Sequence, residues 1–596
     1  MNRRVLLALL AALGCSSGAH PPGRDGVADS DRDAGAIDAD GPEVTDAAGD
    51  AGDAVEAAPK PAPVASSGSK LVVPGAITLV GHGPDSCTNA PAAAGESSSD
   101  RWCAFGRAAP NGFYELWLLD VTKAAAGASI ACDGSDAACL RVSSRFYKGK
   151  RTGFAGAGFD GDTLIYGEWP YTGEGDEPYV GVLSAWRPGW AAGRALTSNT
   201  GRFCVGHARA PAAYCFENLA GDGSVADVTV ELHAGGLAGT AGTVLPKIDT
   251  LLLAATSDAP GAPARVQYDL SPDGGYALWS TRAAANAPET LRAKKLDSAE
   301  APIAVASDVS RWAASPDGRA WYWLAGYDYD VAGAASGTLQ TAPFPDGTDP
   351  ITLAASVGEF GVLGEKSLWL RADVSSQTGT LRFLADRDAP EGVTTVDTKV
   401  LAVLDATIDG ARFLYAKSYV PVRPGPITAV PINRTLTDLY VGSPGGAAPC
   451  VVSDTPVALH AALAAAGVLV LWGRYDATGG EDGIENAIAT SVAKCASQPF
   501  ASRVAALLPA GADAVAYTDE NDLASGEATL RYAHVVGDSL AAAATIQTRA
   551  APVFAPLARA VAYTVATGTA ADGLYVWVEP DAADGGADAG EAGAGP

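Results

Sequence analysis

The chain has 596 residues, 48% of them apolar and only 7% aromatic, with 69 Gly and 38 Pro. That length is ample for a large buried core and, at about 100–200 residues per domain, for several domains. Sixty-eight acids against 41 bases give a net charge of -27, which excludes a nucleic-acid surface, because phosphate binding needs a basic stripe.

The chain opens on Met1-Asn2-Arg3-Arg4, a nine-residue apolar run at 5–13, and Gly14-Cys15. A short basic head, a short apolar core and small residues make a secretory signal, too short to span a bilayer. The ending Ala12-Leu13-Gly14-Cys15 resembles the bacterial lipobox, with Ala12 where Leu is more usual. The resemblance implies that residues 1–15 are a lipoprotein signal peptide and that Cys15 is lipidated as the first residue of the mature chain. The protein is then expected to be exported and membrane-anchored by that lipid. Ser16 after the Cys, rather than Asp, implies the outer membrane under the sorting rule of enteric bacteria.

Residues 16–69 read as a disordered tether. Between 16 and 64, eleven acids face only Arg24, Arg32 and Lys60, and large apolar side chains are almost lacking. Such a segment cannot bury enough surface to offset its ordering entropy, and its like charges extend it. Asp29-x-Asp31-x-Asp33 has the carboxylate spacing of a calcium loop, but Ala34 stands where the sharp turn needs Gly and the closing Glu is missing. The tail, 579–596, has the same composition and the same expectation of disorder. The span between, 70–578, is itself acidic.

Without Cys15, eight cysteines remain: Cys87, Cys103, Cys132, Cys139, Cys204, Cys215, Cys450 and Cys495. An even number in an exported chain points to disulfides, and eight Cys allow 105 pairings. Proximity makes Cys132–Cys139 and Cys204–Cys215 the natural local clips, leaving Cys87–Cys103 and Cys450–Cys495. No C-x-x-C occurs to support zinc. The six His are dispersed.

Three loose strand pairs come first, around Phe105, Tyr166 and Tyr214, each trailed by a second strand (Leu116-Trp117, Tyr179-Val180, Val228-Thr229). From residue 270 the pattern sharpens. Ser271-Pro272-Asp273-Gly274 precedes Ala277-Leu278-Trp279, and Ser315-Pro316-Asp317-Gly318 precedes Trp321-Tyr322-Trp323. Pro presets the first turn dihedral, Asp caps the turn, and Gly takes the left-handed position, so each unit is strand, tight turn, strand. The register continues through Trp369, Tyr415, Trp472, Tyr517 and Tyr563, at intervals of 44, 46, 46, 57, 45 and 46 counted from Trp279. Each marker is followed by another short strand, at Thr290, Thr338, Thr380, Ile427, Ala487, Thr529 and Leu574. Repeats of about 40–50 residues with several strands each are the signature of propeller blades. The Ser-Pro-Asp-Gly-x-x-φ-φ-aromatic units resemble the WD-repeat-like blades of TolB-type periplasmic β-propellers. The expected fold is all-β, a propeller of roughly 7–10 four-stranded blades over 70–578. One ring is favoured and two rings remain open, since ten markers exceed the four to eight blades typical of one ring. Each marker aromatic is expected to pack a blade core.

The search for chemistry returns no catalytic, cofactor or metal residues. Gly156-x-Gly158-x-x-Gly161 precedes a strand at Thr163, whereas a dinucleotide fingerprint needs a helix N-terminus; it reads as a loop. Gly537-Asp538-Ser539-Leu540 spells a lipase motif, yet no His follows residue 534, and the position reads as a turn between blades. No G-x-S-x-G elbow or H-E-x-x-H is present. Asp328-Tyr329-Asp330 and the loop Glu174–Glu177 read as solvated acidic loops. The expectation is a non-catalytic, lipid-anchored envelope module that binds protein or glycan; TolB-type propellers bind protein partners at the outer membrane. An acidic surface favours a basic partner. The rival is a polysaccharide lyase or hydrolase with its site in the central channel.

Overall fold

The computed structural model describes residues 64–580, apart from short interruptions and the longer segments 80–100, 147–156, 169–181, 197–205, 219–227, 238–244, 254–267, 329–335, 421–434 and 476–484. The signal peptide, Cys15 and most of both tails lie outside the described residues.

All ten marker aromatics fall on the second strand of an antiparallel four-stranded sheet. Phe105 lies in Trp102–Ala108, Trp279 in Tyr276–Thr281, Trp323 in Ala320–Asp328 and Tyr563 in Ala560–Val565, with the remaining six placed alike. The sheets are blades 1 to 10, covering 77–146, 157–195, 206–253, 268–309, 309–357, 359–400, 402–453, 457–504, 507–550 and 554–578. Within a blade, burial follows strand order. First strands such as Glu359–Val362 and Phe554–Leu557 are wholly buried, whereas the fourth strand Ala496–Val504 is largely exposed. Second strands are apolar on both faces because a neighbouring blade covers each side. Trp321, Tyr322, Trp323 and Leu324 are all 2% exposed or less, the continuous apolar run expected of a strand covered on both faces.

Ten apolar clusters join the blades pairwise. The cluster between blades 4 and 5 sets Leu278 and Leu291 against Trp321 and Trp323, and that between 9 and 10 sets Tyr532 against Trp577. One further cluster brings Ala562 and Leu574 of blade 10 against Phe105, Trp117 and Cys139 of blade 1. The blades therefore form one closed ring, which decides between the one-ring and two-ring expectations. The closing strand comes from the other end of the chain: Ser69–Pro74 pairs antiparallel with Gly573–Val578 as the fourth strand of blade 10. Just before it, Val64–Ser66 bonds onto blade 9, with Ser66 N donating to Ile546 O at 2.9 Å and Thr548 N to Val64 O at 3.0 Å. The N-terminal segment thus latches two blades.

Fourth strands leave their blades through a repeated kink. Asp308, Ser356, Lys399, Arg503 and Arg549 have positive φ, and each precedes a buried Val309, Val357, Val400, Val504 or Ala550. A bulge of this kind re-aims a strand, here into the next blade. In blades 4 and 5 the result is one continuous strand, Ile303–Ala314, shared by both sheets.

Several details depart from the sequence reading. Residues 64–69, read as the end of the disordered tether, are ordered, with Val64–Ser66 bonded onto blade 9 and Ser69 opening the closing strand. The third strand of blade 7 is Thr435–Gly442, not the segment at Ile427, which lies outside the described residues; an insertion lengthens this repeat to 57. The strand read at Tyr179-Val180 begins at Val182. Gly158 belongs to the strand Ala157–Asp160, paired in a hairpin with Thr163–Glu168.

Candidate functional site

Strand alternation fixes two ends of the ring. Turns between first and second strands, and between third and fourth, share one end. Connections between second and third strands, and from blade to blade, share the other.

The turn end is tightly built. In blade 4, Gly275 N and the Ser271 hydroxyl both donate to Asp273, and Tyr276 N donates to Ser271 Oγ at 2.8 Å. Blade 5 repeats this with Ser315 and Asp317. Blade 7 repeats it with Thr407 and Asp409, where Ile408 replaces Pro. Gly274, Gly318 and Gly410 take φ of 68°, 67° and 68°, a conformation that costs Gly little. Hydrogen bonds from Ser271 and from Thr407 hold Asp273 and Asp409 below the ordinary carboxylate range. At Asp317 burial opposes ionisation, but the Ser315 hydroxyl and Arg319 N–H outweigh it, and the carboxyl stays low.

These turns concentrate charge. Across blades 4 to 7 they carry eleven acids against Arg319, Lys366, Arg387 and Arg412. Arg387, 8% exposed, is committed to the scaffold: it donates to Tyr322 Oη at 3.1 Å and Glu365 O at 2.7 Å, and stands 3.7 Å from Asp317. Asp346, Asp349 and Glu391 are exposed, and Asp388, exposed as well, accepts Lys366 Nζ at 2.6 Å. Gly537-Asp538-Ser539-Leu540 is a hairpin turn at this end, inside blade 9 rather than between blades. Asp538 accepts from Ser491 Oγ (2.8 Å) and Lys494 Nζ (3.0 Å) of blade 8, contacts that lower its pKa. It ties two blades and faces no nucleophile.

At the other end, carboxylates are matched by bases. Glu289 accepts Arg282 Nε (2.9 Å) and Nη2 (2.6 Å); Glu527 accepts Arg549 likewise, at 3.0 and 2.7 Å. Buried Glu359 lies between Arg311 (3.2 Å) and Arg371 (3.6 Å). Asp397 receives Lys417 Nζ at 2.7 Å and the Tyr415 hydroxyl; burial, then that carboxylate, push the Tyr415 pKa up. Between blades 8 and 9 this end holds an open depression of about 420 Å³, lined by Arg474, Asn486, Ile488, Phe500, Ser502 and Asp519 among others.

No known protein family and no curated protein matches this chain in sequence. Solved structures align with it at low similarity. A eukaryotic initiation factor aligns over 75% of this chain and 96% of its own, at 10% identity and a TM-score of 0.39. TolB from Acinetobacter baumannii aligns over 55% of this chain and 78% of its own, at 12% identity and 0.23. A puromycin-hydrolysing peptidase from Mycobacterium tuberculosis aligns over 63% of this chain but 57% of its own, at 14% identity and 0.27. The chain is an all-β propeller. Its ring closure and blade count stand on its own strand pairing.

The sequence-predicted residues distribute as follows. Cys132 and Cys139 form a disulfide in blade 1, and Cys450 and Cys495 join blades 7 and 8. Cys103 is buried on the second strand of blade 1. Cys87, Cys204 and the Cys215 side chain lie outside the described residues, as do Glu174–Glu177 and Asp330. Of the marker aromatics, Phe105, Tyr166, Trp279, Trp323, Trp369, Tyr415, Trp472, Tyr517 and Tyr563 are buried in blade packing. Among the described residues no group of three His, Cys, Asp or Glu is placed to hold a metal ion, and no helix is long and apolar enough to cross a membrane. Sequence reasoning missed the one-sided distribution of acids, the buried Arg387 and the depression between blades 8 and 9. Part of the excess was findable, since Asp recurs at this turn in blades 4, 5 and 7, as Asp273, Asp317 and Asp409.

Proposed function

We propose that this protein is an exported propeller, anchored by lipid on Cys15, that binds a basic protein partner without catalysing a reaction, using the turn end of blades 4 to 7. The observation that carries this reading is the eleven-to-four excess of acids on those turns, in three of which Ser/Thr-x-Asp-Gly bonds close the backbone. A field of one sign on a fixed surface steers an oppositely charged partner and weakens with salt. Two disulfides suit an oxidising compartment. Val64 bonds to the outer strand of blade 9, not to blades 4 to 7.

The test is cross-linking in intact envelopes followed by affinity measurement with the captured partner. A partner that dissociates as salt rises, and that the exposed-loop variant Asp388→Asn/Glu391→Gln binds several-fold more weakly, supports the reading. A partner whose affinity ignores both salt and the variant refutes it. For the anchor, Cys15→Ala should move the protein from the membrane fraction to the soluble one; retention in the membrane contradicts lipid attachment there.

A further inference from the structure

Beside the acidic turns, the same end of blades 7 and 8 is apolar, and its turns join into one surface. Gly467, in the first turn of blade 8, lies so close to blade 7 that a Cβ there would meet Thr407 Cγ2 at 2.8 Å and Arg412 Cγ at 3.0 Å. Arg412 donates to Ser443 Oγ, which ties the first turn of blade 7 to the turn before its fourth strand. The Cys450–Cys495 disulfide joins the outer turns of the two blades, and Val492 N donates to Val468 O at 3.0 Å within blade 8. On this surface Ile408 is 45% and Val468 38% exposed. Ile408 stands where the matching turns of blades 4 and 5 carry Pro272 and Pro316. Pro, not Ile, presets the dihedral there, so the turn itself does not ask for an aliphatic side chain. By alternation Val468 falls on the side of Val470 and Trp472, which pack on blade 7. In the turn of Gly467, Ala465 and Ala466 take positive φ of 47° and 55°, a conformation that strains Ala and not Gly. The charges here are few and mostly engaged. Residues 443–449 carry none, Arg412 is bonded as above, and Lys494 pairs with Asp538 of blade 9 at 3.0 Å. Asp409 marks the border with the acids of blade 6, where the Ile408 carbonyl stands 4.0 Å from the Cβ position of Gly364, next to Glu365. An exposed apolar patch with a charged border is the mark of a protein contact.

We propose that this platform takes the apolar face of an amphipathic basic segment of the partner. Its branched or aromatic side chains rest on Ile408 and Val468, and its lysines or arginines lie over the acids of blades 5 and 6. The neighbouring excess of acids selects this occupant, because it attracts a basic segment and repels both a second copy of the same face and an anionic lipid surface. The acids supply the salt-sensitive part of the affinity and the platform the salt-resistant part. The inference rests on the proposed function and sharpens it by naming the chemistry of the partner.

The experiment titrates the full chain by calorimetry with the Leu/Lys peptide LKKLLKLLKKLLKL and with its analogue in which Ser replaces every Leu, two probes of equal charge. The Leu peptide should bind roughly tenfold more tightly, and that ratio should persist as salt rises. Ile408→Thr/Val468→Thr, which keeps both Cβ atoms branched, should bring the two affinities close together with little change in unfolding temperature, because both side chains are exposed. Asp388→Asn/Glu391→Gln should weaken both peptides alike and keep their ratio. Equal affinities in the parent that fall together with salt, or a ratio that the Thr variant leaves unchanged, overturn the platform and leave the acidic docking reading standing. Binding of neither peptide overturns both. Self-association of the chain, or binding to phosphatidylglycerol vesicles, that the Thr variant abolishes would give the platform to a second copy or to lipid and overturn the assignment.

Discussion

At one end of blades 4 to 7 the strands are joined by turns of nine residues or fewer, three of them closed by Ser, Thr and Asp side chains, and acids outnumber bases. At the other the connections reach fourteen residues between Val420 and Thr435, and carboxylates sit in ion pairs with arginine and lysine. At the turn end the acids outnumber the bases there, Lys366 taking Asp388 and Arg387 standing beside Asp317. The loop end uses its charges to join strand to strand and blade to blade.

Left-handed glycines should break this comparison most sharply. A Cβ on Gly410, at the turn end, would meet the Phe383 ring at 2.2 Å, whereas one on Gly526, at the loop end, meets nothing within 4 Å. Both have positive φ. Gly410→Ala combines left-handed strain with overpacking and should cost about 3–4 kcal/mol; Gly526→Ala should cost only the strain, about 1–2 kcal/mol. Denaturant unfolding of the two variants measures the gap, and equal losses would show that the turn end is no more constrained.

Arginines make the next contrast. Arg387→Ala strands the buried Tyr322 hydroxyl and Glu365 carbonyl and should cost about 3 kcal/mol. Arg382→Ala removes a partly exposed pair with Asp373 and should cost under about 1 kcal/mol. Hydrogen exchange across blades 5 and 6 would register the first and barely the second.

A smaller, pH-dependent effect lies just inside the turn end. Asp405 accepts Leu463 N of blade 8 at 2.8 Å, and burial pushes its pKa up to about 6. Because the folded state holds this proton more tightly than the unfolded chain, the carboxyl costs stability as pH rises from about 4 through 6. Asp405→Asn should therefore stabilise the ring at pH 7, by about 1–2 kcal/mol, and confer no advantage at pH 4. Thermal unfolding at the two pH values checks the sign; an advantage that grows on acidification would reverse it.

Much of this architecture was legible in the chain. One buried aromatic per second strand is a packing requirement, so the markers gave the repeat directly, down to the loose copies at Phe105, Tyr166 and Tyr214. Ring closure was harder to read. The last repeat has three strands after Ala551 and the segment Leu71-Val72-Val73 has no partner of its own before blade 1; those two facts together imply the latch, but only once blades are counted strand by strand. The insertion in blade 7 hid its third strand because periodicity cannot follow a long connection. Site chemistry was less legible still. Arg387 looks like any other arginine until the fold shows it buried against Tyr322 and Glu365.

The central claim is that one ring of ten blades is closed by Ser69–Pro74. End-on class averages of the full chain by electron cryo-microscopy test it most directly. Ten radial blades around a single channel, reduced to open or broken rings when residues 64–74 are deleted, is the result expected. Two smaller rings, or an intact ring after that deletion, would contradict it.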